Sequence, residues 1–406
     1  MVCVIIRMST LPRSYESILR DHLSEHRQMA FVAGPRQVGK TTTCRGLADV
    51  YLDWDNEDHR ELILRGPGAV AKHAGIDRLT GARVRIVFDE LHKYKGWKGF
   101  LKGFFDVYED RVRIMVTGSS RLDVYRKGGD SLMGRYFLYR MHPLSVGELC
   151  RTACPEFPVH DPSPIPSEDW RALCEHGGHP EPFLRRSPKF TLRWRELRRQ
   201  QLLREDVRDM TGIQELDQLA ILAKLLSRRS GDQLIYSALA KQVRVSENTI
   251  RSWVGTLCGL HYGFLVRPWF RNVTKALRKE PKWFLRDWSG IDDTGKLAET
   301  LCACHLLKAV EGWSDLGLGV FELRYIRDTQ KREVDFLVVK DDRPWILVEA
   351  KHGRCDLSPH LAYFQEKTGA GHAFQMSLVD DFVDADCFAR SGPTIVPART
   401  LLSQLL

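Results

Sequence analysis

Three short apolar runs punctuate the first third of the chain, at residues 28–34 (QMAFVAG), 84–88 and 112–116. Runs of that length, bounded by polar or glycine positions, predict strands buried on both faces, as in a parallel sheet. The intervening stretches have helical spacing and polar loops, so residues 1–154 predict alternating strand and helix, an α/β domain. Residues 155–166 (PEFPVHDPSPIP) hold five of the chain's 18 prolines. Such a composition continues neither a helix nor a central strand, and predicts an exposed loop or linker over 155–169. From about residue 170 to 269 the pattern is helical, and from about residue 282 short β-rich runs return.

The first run ends in Gly34-Pro35-Arg36-Gln37-Val38-Gly39-Lys40-Thr41-Thr42, which fits G-x-x-x-x-G-K-[ST] between a strand and a segment able to start a helix. The glycines let backbone N–H groups curl around phosphates, and the helix N-terminus adds a favourable field for the anion. Lys40 is then placed for the β- and γ-phosphates of ATP, and the Thr41 hydroxyl for a magnesium ion (Mg2+). The second run leads into Asp89-Glu90, a Walker B pattern in which Asp89 holds the magnesium through water and Glu90 activates the attacking water. That pair favours hydrolysis over a small-molecule phosphotransferase. The third run leads into Gly118-Ser119-Ser120, where Ser119 would set a hydroxyl near the γ-phosphate; an ordinary strand-end turn explains these residues equally well.

Charge modifies the picture. Lys and Arg total 61 against 52 acids, a net +9, which favours polyanions without requiring a nucleic-acid partner. Residues 185–204 concentrate eight cations, Arg198 and Arg199 among them, against the single acid Glu196. This is either a phosphate-binding face or a solvated helix whose long stems cover apolar neighbours. Residues 236–243, a turn at 244–247 and residues 248–260 have helix-turn-helix spacing, and the run 262–266 suits the wing strand of a winged helix. In a DNA reader Asn248, Thr249, Arg251 and Ser252 would face the groove. In a docking module the same unit would bind protein.

The 10 cysteines form no C-x-x-C pair, and Cys302, Cys304 and His305 lie in an apolar helical stretch, as core residues of a reduced, cytoplasmic protein. The longest apolar run near the start, residues 2–6, is far short of the roughly 20 residues a spanning helix needs. No membrane span and no signal peptide are expected.

Residues 334–340 and 345–351 flank Asp341-Asp342-Arg343-Pro344 and predict a β-hairpin. A turn centred on Asp342 puts Asp335 opposite Glu349, about 5 Å apart on one face, with Lys351 beside them. Two carboxylates held together repel unless a cation lies between them, and a magnesium ion would relieve that.

The strings AGPRQVGKTT, VFDELHK and VTGSS, with Ser131-Leu132-Met133-Gly134-Arg135 and His142-Pro143-Leu144-Ser145, resemble the prokaryotic AAA-type ATPases that carry a C-terminal domain of unknown function. The resemblance implies that Arg135 is a γ-phosphate sensor or an arginine finger, in the latter case completing a neighbour's site in a homo-oligomer. It also implies that Gly177-Gly178-His179-Pro180 is a turn covering the nucleotide through Gly178 and Pro180. The order D-x(13)-E-x-K resembles the restriction-endonuclease-like nuclease core, and that resemblance implies Glu299 as a third metal ligand beside Asp335 and Glu349, with Lys351 at the edge.

The expected architecture is α/β: a P-loop NTPase parallel-sheet domain (1–154), the loop (155–169), a helical, lid-like segment (170–215), a winged helix-turn-helix (216–280) and a restriction-endonuclease-like α/β domain (281–406). Two functions follow. One is an ATP-hydrolysing protein acting on nucleic acid, with a nuclease-like tail. The other is an ATP-gated regulator that docks DNA or protein and cuts nothing.

Overall fold

The computed structural model describes residues 11–76, 83–118, 132–203, 207, 213, 215–270 and 280–406. The expectation for Ser119 lies outside them, as does Arg204 of the basic segment.

Strands β1 (Met29–Ala33), β2 (Val50–Asp53), β3 (Val84–Asp89), β4 (Val112–Gly118) and β5 (Tyr136–Arg140) form a parallel sheet ordered β2-β3-β4-β1-β5. Side chains alternate across β1 as the pleat requires. Met29, Phe31 and Ala33 pack with Phe88, Phe104 and Val116, whereas Ala30 and Val32 pack with Leu19, Leu47, Val87 and Met115. The flanking helices are α1 (Ser14–Glu25), α2 (Lys40–Leu47), α3 (Glu57–Leu64), α4 (Pro67–His73) and α5 (Trp97–Tyr108). The three apolar runs of the sequence are the three central strands. The outer two, β2 and β5, leave most residues half-buried, so their patterns carry no continuous apolar run.

Beyond β5 come α6 (Val146–Cys150), α7 (Ser167–His176), α8 (Pro180–Arg185) and α9 (Pro188–Gln201). The proline-rich segment before α7 is a loop, but not a free linker. His160 N–H donates to the Gln404 carbonyl (3.0 Å) and Ser163 N–H to the Ser403 hydroxyl (3.1 Å). Helices α10 (Leu216–Ser227), α11 (Tyr236–Val243) and α12 (Glu247–Gly259) pack with the hairpin of β6 (Gly263–Pro268) and β7 (Lys282–Leu285) around Leu222, Leu239, Ile250, Trp253 and Trp283. Arg244 at φ 62° ends α11, and the Ser246 side chain caps α12 by accepting from Thr249 N–H (3.0 Å).

The remainder comprises α13 (Thr294–Asp315), β8 (Phe321–Arg327), β9 (Glu333–Lys340), β10 (Arg343–Lys351), α14 (Pro359–Thr368), β11 (His372–Ser377), β12 (Thr394–Pro397) and α15 (Ala398–Ser403). Its strands and the β6–β7 hairpin make one mixed seven-stranded sheet, ordered β12-β11-β10-β9-β8-β6-β7. The boundary expected at residues 280–281 therefore falls inside a hairpin whose β6 strand pairs with β8. An edge strand offers free N–H and C=O groups, and here the next domain takes them.

Candidate functional site

The loops leaving the carboxyl ends of β1 and β3 open into a cleft of about 540 Å³. It is lined by Arg36, Gln37, Gly39, Lys40, Thr41 and Thr42 of the phosphate loop, by Glu90, and by Pro180, Glu181 and Leu184 of α8. Gly34 is required by close approach, since a Cβ there would sit 2.2 Å from the Met141 carbonyl oxygen. Gly39 sits at φ 102° immediately before α2, a conformation that L side chains rarely adopt. Pro35 is buried, and Val38 is fully buried and packs into the core beneath the loop.

Lys40 is buried, and its Nζ donates to the carbonyls of Gly34 (2.9 Å) and Pro35 (2.7 Å). Burial lowers its pKa to about 8 against the pull of Glu90 and Asp89. The Asp89 carboxylate accepts from the hydroxyls of Thr41 (2.8 Å), Tyr51 (2.6 Å) and Thr117. Glu90 follows at φ 53°, and burial raises its pKa although Lys93, 3.3 Å away, and Lys40 oppose it. A half-buried carboxylate with raised basicity beside a phosphate loop suits proton abstraction from water.

What holds this loop is not legible in the sequence. Arg13, at the start of α1, donates to the Val38 carbonyl, to the His142 carbonyl (2.8 Å) and to Glu148 (2.8 and 3.1 Å). Glu148 also accepts from Ser14 and, at 2.5 Å, from Lys308 of α13. Burial would raise the Glu148 carboxyl, but Arg13 and Lys308 outweigh it and hold it at about 2. The phosphate loop is thus tied through one ionised carboxylate to the long helix of the C-terminal domain. Neither partner of Glu148 lies near it in sequence, and no motif marks them.

The structure separates other expected site residues. Arg135 lies at the amino end of β5, where its carbonyl accepts from Met29 N–H (2.8 Å) and its guanidinium clasps Asp106 (2.6 and 3.0 Å). The phosphate loop leaves the opposite end of β1, about 15 Å away at 3.3 Å per residue. Position alone rules out contact with phosphates bound by its own chain, which corrects the expectation of a sensor in cis. Pro180 lines the cleft, but Gly178 does not: its carbonyl accepts from Leu144 N–H (2.7 Å), and a Cβ there would meet Leu144 and Trp288.

On α12, Asn248 and Ser252 are exposed and Thr249 closes the cap. Arg251 is held by Glu247 (2.6 Å) and lies over the Tyr236 ring at 4.0 Å. Arg198 and Arg199 on α9 line a separate cleft.

In the C-terminal domain, Asp341 and Asp342 (φ 48° and 63°) form a two-residue turn, and a bulge at Trp345 shifts the pairing by one. Beyond it the ladder runs to Val348↔Phe336, which sets Glu349 opposite Asp335. Asp335 accepts from Ala350 N–H (3.0 Å) and Lys351 bonds Glu349 (2.9 Å). A lysine stands beside Asp335, apart from Glu349's partner Lys351. Lys282 of β7, 4% exposed, bridges Glu333 (2.5 Å) and Asp335 (3.3 Å). Among the described residues no three His, Cys, Asp or Glu side chains come together as a metal cage, which corrects the expectation of one at Glu299, Asp335 and Glu349. Register arithmetic finds the carboxylates but not a lysine entering from a strand 53 residues away.

Burial and Asp335 raise the Glu299 carboxyl to about 8. Its folded pKa exceeds the unfolded value, so the folded state loses stability as pH rises from about 4.5 to 8. Glu299→Gln is expected to raise the melting temperature at pH 9 and leave it nearly unchanged at pH 5. Equal shifts at both pH values in a thermal scan would contradict this.

Residues 26–150 match the model of an AAA domain, 167–291 the domain of unknown function DUF8612 and 294–399 the domain of unknown function DUF4143. Uncharacterized proteins of Mycobacterium tuberculosis and Mycobacterium bovis are each 24% identical over 327 residues, covering 78% of this chain and 69% of theirs. Solved structures with partial similarity include the Aeropyrum pernix ORC1 protein in complex with DNA (14% identity, TM-score 0.32, 72% of this chain and 93% of that one). Another is AMPPCP-bound DnaA from Aquifex aeolicus (12%, TM-score 0.30, 59% and 86%). The chain carries an AAA-type P-loop ATPase domain, followed by a mixed-sheet α/β region. Among the described residues no helix is long and apolar enough to cross a membrane.

Proposed function

We propose that this protein hydrolyses ATP and uses the nucleotide cycle to gate contact with nucleic acid. The carrying observation is that Lys40, Thr41 and Glu90 share one cleft with Pro180, Glu181 and Leu184 of α8. A nucleotide there touches the ATPase core and the helical region at once.

In this reading Lys40 exchanges its two loop carbonyls for phosphate oxygens, the Gly39–Thr41 backbone N–H groups cradle the anion, and Glu90 takes the proton of the attacking water. The oxygen donors Thr41 and Asp89 suit a magnesium ion, which when bound would neutralise charge on the phosphates. In this reading Arg135, partly exposed and far from its own cleft, leaves Asp106 to serve a neighbouring chain's nucleotide in a homo-oligomer.

In this reading the C-terminal domain acts in recognition rather than cleavage; Lys282, paired with Glu333 and Asp335, supports it by occupying the side of Asp335 where a metal would otherwise be drawn. The α10–α12 unit with its hairpin suits a winged helix that docks DNA, with protein as the alternative occupant.

Steady-state ATPase assays test the core of the proposal. Glu90→Gln is expected to retain ATP affinity within a few-fold while turnover falls by about 10²–10⁴, the usual worth of a general base. Turnover at the parent rate would remove Glu90 from the mechanism.

A further inference from the structure

We propose that the cleft between α9, the carboxyl end of α10 and the 287–292 loop is a phosphate site for the backbone of single-stranded nucleic acid. The inference rests on the proposed function in so far as that function includes a nucleic-acid partner.

The cleft is about 290 Å³ and draws cations from two elements: Arg195, Arg198 and Arg199 from α9, and Lys224 and Arg228 from α10 and its cap. Its acids are Glu196, Asp287 and Asp292. Glu196 is 2.7 Å from Arg199, and Asp287 is 3.9 Å from Arg198. Among the described residues Lys224 and Arg228 have no carboxylate within ion-pair distance, and Arg195 spends its donor on the neutral Ser289 carbonyl (3.0 Å). Lys224 and Arg228 stand four residues apart, one turn of like charge above the next, an arrangement that favours an anion between them. The carboxyl end of α10 accounts for a cation by its dipole, but not for three arginines arriving from α9. Arg199 also keeps a buried Nε–H without an acceptor.

The shape selects the ligand. A concave space of this size holds about one nucleotide unit, and a flexible single strand can thread into it. A duplex presents its phosphates along a convex ridge. Tyr262 also lines the cleft, held by its hydroxyl donating to the Ala223 carbonyl (3.1 Å).

The position suggests what binding does. Arg198 and Leu202 also line an adjoining cavity of about 150 Å³ that reaches Arg36 and Gln37 of the phosphate loop. A strand in the cleft therefore bears on the far side of the ATP site.

The test is fluorescence anisotropy of a labelled single-stranded oligothymidylate, and of a duplex, over a range of salt, with ATP binding measured on each sample. Lys224→Ala/Arg228→Ala removes two exposed cations, so the fold and ATP affinity should survive. The variant is expected to bind the single strand at least about tenfold more weakly at low salt. Its log K against log salt slope should be shallower by roughly 1.4, at about 0.7 per phosphate contact. Parent-like affinity and slope in the double variant would overturn the cleft and leave the nucleic-acid reading standing. Binding that prefers duplex, is lost in Arg251→Ala and survives in the double variant would do the same, and would place the partner on α12. A parent protein that binds ATP but no nucleic acid at low salt would overturn both this inference and the nucleic-acid part of the proposed function.

Discussion

Lys40→Ala is expected to weaken ATP binding by about 100-fold or more. The ammonium would make at least two charge-assisted bonds to phosphate oxygens, each worth about 1.5–3 kcal/mol, and about 1.4 kcal/mol is tenfold in affinity. The loss should fall on binding rather than on folding. In the unliganded protein the same group is buried against two carbonyls, Gly34 and Pro35, and no carboxylate lies within ion-pair distance of it among the described residues. Removing a desolvated ammonium gives back part of what its burial costs. Calorimetric titration with ATP and a thermal scan on the same sample separate the two effects. Affinity within threefold of the parent would refute the placement of the phosphates.

The second large effect is on stability. Glu148→Ala strands Arg13 and Lys308, both buried, and breaking a buried ion pair by removing one partner costs about 3–5 kcal/mol. Because the Glu148 pKa is lowered to about 2, its contribution is fully present above the usual carboxylate range and is lost as pH falls through 2. Arg13 also bonds the Val38 carbonyl, so the variant should lose nucleotide affinity as well as stability. In denaturant titrations Glu148→Ala/Lys308→Met is expected to recover part of the loss, since it removes an unpaired charge along with its partner. A double variant as unstable as the sum of the single ones would show that the carboxylate acts without Lys308.

These two substitutions act at opposite ends of one connection. Lys308, Glu311 and Asp315 lie on α13 at three- and four-residue spacing. They meet Glu148, His142 (2.7 Å) and Arg140 (2.5 Å) of the ATPase domain. The C-terminal domain is therefore docked through a row of charged and polar pairs that begins one residue contact from the phosphate loop. A change in that loop on nucleotide binding has a short path to α13.

The parts whose chemistry is local can be read directly from the order of residues. A phosphate loop needs its glycines, lysine and hydroxyl within eight residues, because one strand-to-helix turn must wrap one phosphate group, and the pattern 34–41 states this completely. The central strands β1, β3 and β4 are equally legible, since burial on both faces demands unbroken apolar runs. The rest follows from how the chain packs in three dimensions. That packing placed Arg135 at the wrong end of the sheet for its own nucleotide, because strand direction fixes which end a residue occupies. It placed Lys282 among Glu333 and Asp335, and Glu148 between Arg13 and Lys308, because charges desolvated together must find partners wherever the fold supplies them, at any separation along the chain.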